Sequence, residues 1–275
     1  MKFSHVILTQ FNVKTNHAFS EKRLSPEWLE PRFELFEKFS YPAVYGQSNQ
    51  NFKWIVYFDS QTPQPFKDRI KKYAAWKNFI PVYLDDVLTQ ETNKQAILES
   101  FSECSAYLIT TRLDNDDALC KSYTEMVQRN FASQDFEFIS FANGHVLHVD
   151  GRLYSLNYLN NPFVSLIEKI NSPNTSGFRT VLCGVPHTEL SKVGSMKKVK
   201  SDVSWLQVIH SSNVSNRVRG VRVPKKALDG KYTIDLSKII QDEDFATYTI
   251  DYARSVAHTI AREFAINLRN IVQFR

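Results

Sequence analysis

The chain has 275 residues, of which 43% are hydrophobic and 13% aromatic, and it carries a net charge of +5. This composition suits one sizeable α/β domain with a large core and excludes a disordered chain. Only 8 glycines occur, and neither GxGxxG nor GxxxxGK is present, which excludes the Rossmann dinucleotide motif and the P-loop. Any phosphate-binding function must therefore use side chains or a metal ion.

The first half of the chain alternates segments of strand and helix character. Short apolar runs alternate with segments in which apolar residues recur at helical spacing. This alternation, with short connections, predicts a largely parallel sheet with helices on both faces. The predicted strands are residues 4–11, 52–58, 80–84 and 106–111, and the predicted helices are residues 26–39, 65–76, 91–103 and 117–131.

The second half of the chain has a mixed character. Over residues 135–155, two alternating runs with turn signals at Asn143-Gly144 and Asp150-Gly151 predict antiparallel hairpin structure. Three further segments are expected to be a short helix over residues 161–170, a strand over 178–183, and a helix or strand over 202–210.

The last 25 residues carry apolar side chains three or four positions apart, which predicts an amphipathic helix. We therefore predict a domain over residues 1–245 with a C-terminal helix, residues 246–275, packed on it. The N-terminus lacks a signal-peptide pattern, no apolar run is long enough to span a membrane, and the three cysteines show no zinc spacing. We expect a cytoplasmic protein, and the basic residues and the C-terminal helix would permit peripheral contact with the inner face of the membrane.

Three carboxylates follow the fourth predicted strand within four residues: Asp114, Asp116 and Asp117. Clustered carboxylates repel one another unless a positive charge lies between them. Mg²⁺ and Mn²⁺ take oxygen ligands and often share them with substrate phosphates, and ligands of open α/β sheets bind at the carboxyl ends of strands. The cluster predicts a metal–diphosphate site. The alternative is a loop in which Asp116 or Asp117 caps the following helix.

Four segments of the chain carry a family resemblance. They are HVILTQFNV (5–13), KWIVYFDSQTP (53–63), TTRLDNDDAL (110–119) and WLQVIHSSNVSNRVRG (205–220). In this order they resemble the GT-A glycosyltransferases, and in particular the bacterial putative rhamnosyltransferase family. Together they span about residues 5–220, and the ordered set is more specific than the acidic motif alone. The resemblance implies a GT-A-like α/β fold with a mainly parallel sheet flanked by helices, a mixed second half and the C-terminal helical extension.

The resemblance implies a metal site in the acidic motif. In such enzymes the DxD carboxylates hold Mn²⁺ or Mg²⁺ on the diphosphate of the donor, so Asp114 and Asp116 are the expected pair and Asp117 is a further candidate. A later histidine often adds a metal ligand; His210 is preferred because it lies in a family-like segment, and His187 is the alternative.

The resemblance also implies a nucleoside-diphosphate-sugar donor over the carboxyl ends of the early strands. Several of the candidate residues have a structural alternative, since Asp59 could start a turn and Arg112 could form a surface ion pair. The expected donor-binding residues are Thr9, Gln10, Asp59, Arg112, Asp114, Arg217 and Arg219.

The acceptor side is the least defined by sequence. The family name makes rhamnose the first candidate for the sugar, and the expected acceptor is a hydroxyl of a glycan or lipid-linked glycan. An inverting enzyme needs a carboxylate to deprotonate that hydroxyl. Asp202 is the candidate catalytic base, although it would serve equally well as a helix N-cap.

Two rival functions are consistent with parts of the sequence. A phosphohydrolase of the haloacid-dehalogenase type also places DxD after a buried strand and uses Mg²⁺, but the motif here lacks the Thr or Val of that family. A non-enzymatic nucleic-acid-binding module could use the basic segment 217–231, but this segment lacks interleaved aromatics. We therefore expect no nucleic-acid partner.

Overall fold

The structure is a computed structural model. It describes residues 3–15, 22–102, 105–170, 177–210, 218–235, 239 and 244–273.

A seven-stranded sheet forms the centre of the molecule. Within the described part of the chain, all of its strands run parallel to one another except the strand over residues 164–169. The first strand is buried almost throughout, as a central strand of an α/β sheet should be. In spatial order the strands are β10 (Ser195–Val199), β6 (Phe136–Phe141), β9 (Val164–Lys169), β4 (Tyr107–Arg112), β1 (Ser4–Gln10), β2 (Lys53–Asp59) and β3 (Phe79–Leu84).

A smaller, five-stranded sheet is built from the second half of the chain and one short strand of the first half. It is mixed, because β7 and β11 are parallel while the other three pairs are antiparallel. In spatial order its strands are β12 (Val221–Arg222), β8 (Leu153–Asn157), β7 (Asn143–His148), β11 (Trp205–Ile209) and β5 (Ala118–Leu119).

Helices cover both faces of the large sheet. Alternate residues of β2 belong to two different core clusters, with Trp54 and Phe58 in one and Ile55 and Tyr57 in the other. A π-helical turn, Phe36–Ser40, joins the first two helices. The helices are α1 (Pro26–Leu35), α2 (Tyr41–Tyr45), α3 (Gln64–Tyr73), α4 (Gln90–Glu99), α5 (Tyr123–Arg129) and α6 (Phe245–Gln273), with short 3-10 helices at His187–Lys192 and Lys225–Leu228.

Trp205 connects the two sheets. Its indole stacks on Phe163, with ring centroids 5.0 Å apart, and its Nε1 donates to Phe141 O at the end of β6. An added Cβ at Gly144 in β7 would lie 2.0 Å from the Trp205 ring. Position 144 therefore has no room for a side chain, and the two sheets are packed as one unit.

The predicted fold class is confirmed: the sheet is mainly parallel and flanked by helices, the second half is mixed, and a C-terminal helix follows. In the part of the chain that is described, no helix is both long and apolar enough to cross a membrane.

Four predictions of local structure are wrong. The segment 161–170 forms strand β9 rather than a helix, and no strand forms at 178–183. The helix predicted over 117–131 begins only at Tyr123, because Ala118 and Leu119 pair with β11. β6 and β7 do not form a hairpin but enter different sheets, and the hairpin is β7–β8.

The C-terminal helix α6 contacts β12 through polar side chains. Ser255 Oγ accepts from Arg222 N–H at 2.9 Å, and Asp251 lies 3.6 Å from Arg152. Much of its apolar side faces solvent, as Ile260 and Phe264 are 62% and 66% exposed. The division into a domain over residues 1–245 and a helix over 246–275 stays a prediction.

Candidate functional site

The carboxyl ends of β1, β2 and β4 meet at one edge of the large sheet. The parallel register pairs Gln10 with Tyr57 and Leu8 with Arg112. Asp59 ends β2 at the same edge. The connections that follow these strands therefore surround a common space, where α/β proteins usually bind ligands.

The acidic loop, residues 113–117, is fixed to its surroundings by hydrogen bonds on several sides. Leu113 N–H donates to Leu8 O at 3.1 Å, and Asn115 Nδ2 donates to Phe11 O at 2.9 Å. Ser40, in the π-helical turn, donates its hydroxyl to Asp117 O at 2.8 Å. These bonds hold the loop backbone, so the carboxylates project from a fixed position.

Asp116 is buried between a cationic side chain and an imidazole. Its Oδ2 accepts from Arg32 Nη1 at 2.8 Å, and His210 Nε2 lies 2.8 Å from the same oxygen. Arg32 also donates to Asn115 Oδ1 at 3.3 Å, and its guanidinium lies over the ring of Trp28 at 5.2 Å. A buried carboxylate needs such a partner, since burial of an unpaired charge is strongly unfavourable.

Asp117 is turned toward the small sheet. Its buried Oδ1 accepts from Val208 N–H in β11 at 2.8 Å. Burial, followed by the negative charges of Asp116 and Asp114, raises the pKa of Asp117 well above its usual value. Asp117 therefore anchors the loop to β11. The capping alternative is wrong, because α5 begins six residues after Asp117, with Ser122 at its N-cap position.

Asp114 faces solvent and pairs with Arg112. Its side chain is 43% exposed, and its Oδ1 lies 3.0 Å from Arg112 Nη2. The charge of Asp114 is the largest influence on Arg112 and raises the pKa of that guanidinium. Burial and the positive charge of Arg112 lower the pKa of His187, so this imidazole is neutral at neutral pH.

Arg112 also lines a cavity of about 590 Å³ at the carboxyl edge, which we call the edge cavity. Gln10 lies on its β1 side, and Gln90 on its α4 side. Gln90 Nε2 donates to Leu182 O, while its Oε1 has no hydrogen-bond partner among the described residues. The volume is within the range typical of small-molecule sites. The remaining lining residues include Thr89, Asn93, Pro162, Val181 and His187.

Two predicted donor residues have side chains engaged inside the protein. Thr9 is buried, and its hydroxyl accepts from Trp54 Nε1 at 3.0 Å. Asp59 is buried too; its Oδ2 accepts from Arg23 Nη2 at 2.7 Å and its Oδ1 from Gln61 N–H at 2.8 Å. Asp59 thus has the turn role weighed from sequence, with an added ion pair.

Asp202 is not brought to the acidic loop. It precedes β11, whereas His210 follows it, and the five-residue strand alone spans roughly 16 Å. The Asp202 side chain is 94% exposed and lies 3.8 Å from Lys231. Its separation from Asp116 argues against a role as the base for a sugar held there.

Arg219 is not brought to the acidic loop either, and Arg217 lies outside the described residues. Arg219 lies over the ring of Tyr158 at 5.6 Å, just beyond the C-terminal end of β8. Tyr158 lies at the level of Ala142, since its N–H donates to Ala142 O, and His210 lies beyond Ile209, which pairs with His148 in β7. Ala142, immediately before β7, and His148 at its end are six residues apart, which at the rise of a strand is roughly 20 Å.

The donor set of a metal site is incomplete in the protein alone. Across the described ranges no three Asp, Glu, His or Cys side chains form a metal-binding group. Asp116 Oδ2 and His210 Nε2, however, are 2.8 Å apart, close to the roughly 3 Å separating adjacent ligands of one octahedral Mg²⁺ or Mn²⁺. Such ions commonly take one or two protein ligands and complete their coordination with substrate phosphates and water. The pair therefore fits an ion shared with a diphosphate.

The sequence did not indicate Arg32, Arg23 or Gln90. Arg32 lies on α1, 84 positions before its partner Asp116, and contacts so distant leave no periodic signal.

Comparison with known proteins places the chain in a family. Residues 1–222 match the family described as "Putative rhamnosyl transferase". The match covers most of the chain, so the chain belongs to this family of glycosyltransferases. Among proteins of curated function, no sequence match is found.

Several solved structures share part of this arrangement at low sequence identity. Staphylococcus aureus TarS 1-349 in complex with UDP-GlcNAc is 12% identical, with a TM-score of 0.47, over 78% of this chain and 60% of that one. Its complex with UDP is also 12% identical, with a TM-score of 0.44, over 76% and 61%. A protein from Desulfovibrio desulfuricans G20, described as a "putative nucleotide-diphospho-sugar transferase", is 10% identical, with a TM-score of 0.37, over 76% and 82%. The chain thus spans about three fifths of the length of the TarS chains.

Proposed function

We propose that the protein transfers a sugar from a nucleoside-diphosphate donor to a hydroxyl of a glycan or lipid-linked glycan, with Mn²⁺ or Mg²⁺ at the acidic loop. Family membership supports glycosyl transfer over the phosphohydrolase and nucleic-acid-binding alternatives. The observation that carries the proposal is the position of the acidic loop and the edge cavity at one edge of the parallel sheet, joined by the Arg112–Asp114 pair.

The edge cavity is the proposed place of the nucleoside. Gln10 and Gln90 offer amide groups for a base or ribose, and amides can donate and accept. Arg112 lies between this cavity and the loop, so its guanidinium is suited to contact a diphosphate that leaves the cavity toward Asp116. Asp114 holds the guanidinium in that place.

Asp116 and His210 are the proposed protein ligands of the ion, with Asp114 as a further candidate. When bound, the cation would neutralise the charge that develops on the departing nucleoside diphosphate. Arg32 holds the Asp116 carboxylate in its orientation, and the bonds from Ser40 and Asn115 keep the loop in place. Rhamnose is the proposed sugar, on the strength of the family name alone.

Thermal unfolding with a panel of UDP, GDP, ADP and dTDP, each with and without Mn²⁺, tests the donor site. We expect one nucleotide to raise the Tm only when Mn²⁺ is present. Asp114→Asn and Asp116→Asn should remove that shift, whereas Asp68→Asn, on the exposed surface of α3, should retain it.

The same experiment can overturn the proposal. If no nucleotide stabilises the folded wild type, or if the shift is independent of Mn²⁺ and survives both loop substitutions, the donor site is not where we place it. Asp114 is half-exposed, so its substitution gives a result even where Asp116→Asn fails to fold.

A further inference from the structure

A second cavity, of about 400 Å³, lies between the edge of the small sheet and α6. We call it the helix cavity. Its walls come from the end of β8, the start of β12 and the middle of α6. The lining residues are Ser155, Leu156, Asn157, Tyr158, Arg219, Gly220, Val221, His258, Thr259 and Arg262.

Positive charge lines the helix cavity. Arg219 and Arg262 line it together with His258, and among the described residues no Asp or Glu does. Neither arginine forms an ion pair with another described residue, whereas the nearby Arg152 pairs with both Asp150 and Asp251. Cationic groups that share a cavity without a carboxylate repel one another, and an anion between them removes that repulsion.

At Gly220 the backbone of the cavity wall lies directly against strand β8. Gly220 has φ +103°, and an added Cβ would lie 2.3 Å from Ser155 O. Only glycine combines this conformation with such contact, so the chain before β12 can lie directly against β8. That places Arg219 over Tyr158. On the other side α6 is held by the bond from Arg222 N–H to Ser255 Oγ.

We propose that the helix cavity binds an anionic group, a phosphate or a carboxylate, carried by a sugar of the acceptor glycan. Guanidinium groups bind both oxyanions through paired N–H donors. The Tyr158 ring and the Asn157 amide can contact the sugar that carries the anion. The cavity volume fits a sugar unit rather than an ion alone.

The acceptor assignment rests on the proposed function, whereas anion binding by the cavity does not. The roughly 20 Å between the level of Arg219 and that of His210 is a distance that several linked sugar units can span. The anionic unit would thus lie upstream of the hydroxyl that receives the sugar. The acidic loop would act on the free end of the glycan while the helix cavity holds its body.

Isothermal titration with glucose 1-phosphate, glucuronic acid and neutral glucose, in metal-free buffer without nucleotide, tests the proposal. We expect at least one of the two anionic sugars to bind and glucose not to bind. Arg262→Gln and Arg219→Gln should each raise its Kd about tenfold or more, the loss of one charge-assisted interaction. Preference for one anionic sugar would separate phosphate from carboxylate as the natural group.

Two matched controls identify the site. Arg254→Gln removes the same charge from α6, where Arg254 is 78% exposed and lies 4.0 Å from Asp251, and it should leave binding unchanged. Arg112→Gln removes the cation of the edge cavity and should also leave it unchanged. Circular dichroism confirms that each variant is folded.

The proposal is overturned if neither anionic sugar binds, or if Arg254→Gln weakens binding as much as Arg262→Gln. It is equally overturned if binding is lost only in Arg112→Gln, which would move the anion to the edge cavity. None of these results affects the metal-dependent nucleotide shift, so failure here is distinguishable from failure of the proposed transferase activity.

Discussion

The edge cavity and the helix cavity both present arginines, but they balance charge in opposite ways. At the edge cavity and the adjoining acidic loop, the arginines are paired with carboxylates, Arg112 with Asp114 and Arg32 with Asp116. In the helix cavity neither Arg219 nor Arg262 forms an ion pair with another described residue. An anion that enters the edge cavity therefore meets an arginine whose charge is already balanced, and one that enters the helix cavity meets two arginines whose charge is not.

This difference indicates where an added cation is needed. A diphosphate beside the acidic loop would be repelled by Asp114 and Asp116 unless a divalent ion lay between them. A sugar phosphate in the helix cavity would need none. The comparison thus predicts one metal-dependent and one metal-independent anion site within the chain.

Metal removal should have the largest effect and act on one cavity only. With EDTA, binding of the preferred nucleoside diphosphate should weaken by about 100-fold or more, because its charge then faces the acidic loop directly. Binding of glucose 1-phosphate should not change. Titration calorimetry of both ligands, with and without EDTA, would refute the comparison if both affinities fell together.

Loss of the hydrogen bond between Asp117 and Val208, which anchors the acidic loop to β11, should have the next largest effect. Asp117→Ala leaves the buried Val208 N–H without its acceptor and should lower the free energy of unfolding by about 2 kcal/mol. Asp117→Asn keeps an acceptor oxygen in place and should cost much less. Urea unfolding measures both, and equal losses would show that the charge, rather than the hydrogen bond, holds the loop.

Acid should destabilise both sheets through buried neutral histidines. Burial lowers the pKa of His5 in β1 to about 3 and that of His145 in β7 to about 4, with Lys231 adding to the second. Below pH 6.5, the pKa of an unfolded histidine, the unfolded chain binds protons at these two positions that the folded chain does not. The free energy of unfolding that they contribute is therefore fully present above pH 6.5 and decreases as the pH is lowered toward the folded pKa values.

Between about pH 7.5 and about pH 5.5 each of these histidines should remove roughly 1 kcal/mol of stability. His5→Gln and His145→Gln should each flatten the dependence. Urea unfolding across this pH range is the measurement. An unchanged slope in both core variants would show that these groups titrate alike in the folded and unfolded chains.

Salt should have the smallest effect. Raising NaCl from about 50 mM to about 500 mM should weaken glucose 1-phosphate binding several-fold, because the arginines of the helix cavity are only half-buried and are screened. The Arg32–Asp116 pair is buried, so the Tm should change little over the same range. Affinity independent of salt would mean that charge does not dominate the helix cavity.

The parallel half of the fold could be predicted from sequence, because its signals are local. Each strand is a short apolar run followed by polar residues, and each helix has its own apolar period. From these strands it also followed that the acidic cluster lies at the carboxyl end of a strand and that Gln10 and Arg112 lie close to each other at the same edge of the sheet.

The second half could not be predicted as well, because its partners are distant in sequence. β9 is buried on both faces, so it has no alternation to distinguish it from a helix. Ala118 and Leu119 form a strand only because β11 lies beside them. For the same reason the proximity of His210 to Asp116 could be expected only from the family resemblance, and Arg32 not at all.

The parallel pairing of β7 with β11 fixes the distance between the helix cavity and His210. Both strands run from the level of the helix cavity to the level of His210, and five matched residue pairs fix their register. A strand rises by about 3.3 Å per residue and hardly stretches, so changes in the surrounding loops leave the spacing of the two sites untouched. If both proposed sites bind one glycan, the length of this strand sets the shortest glycan that can occupy them.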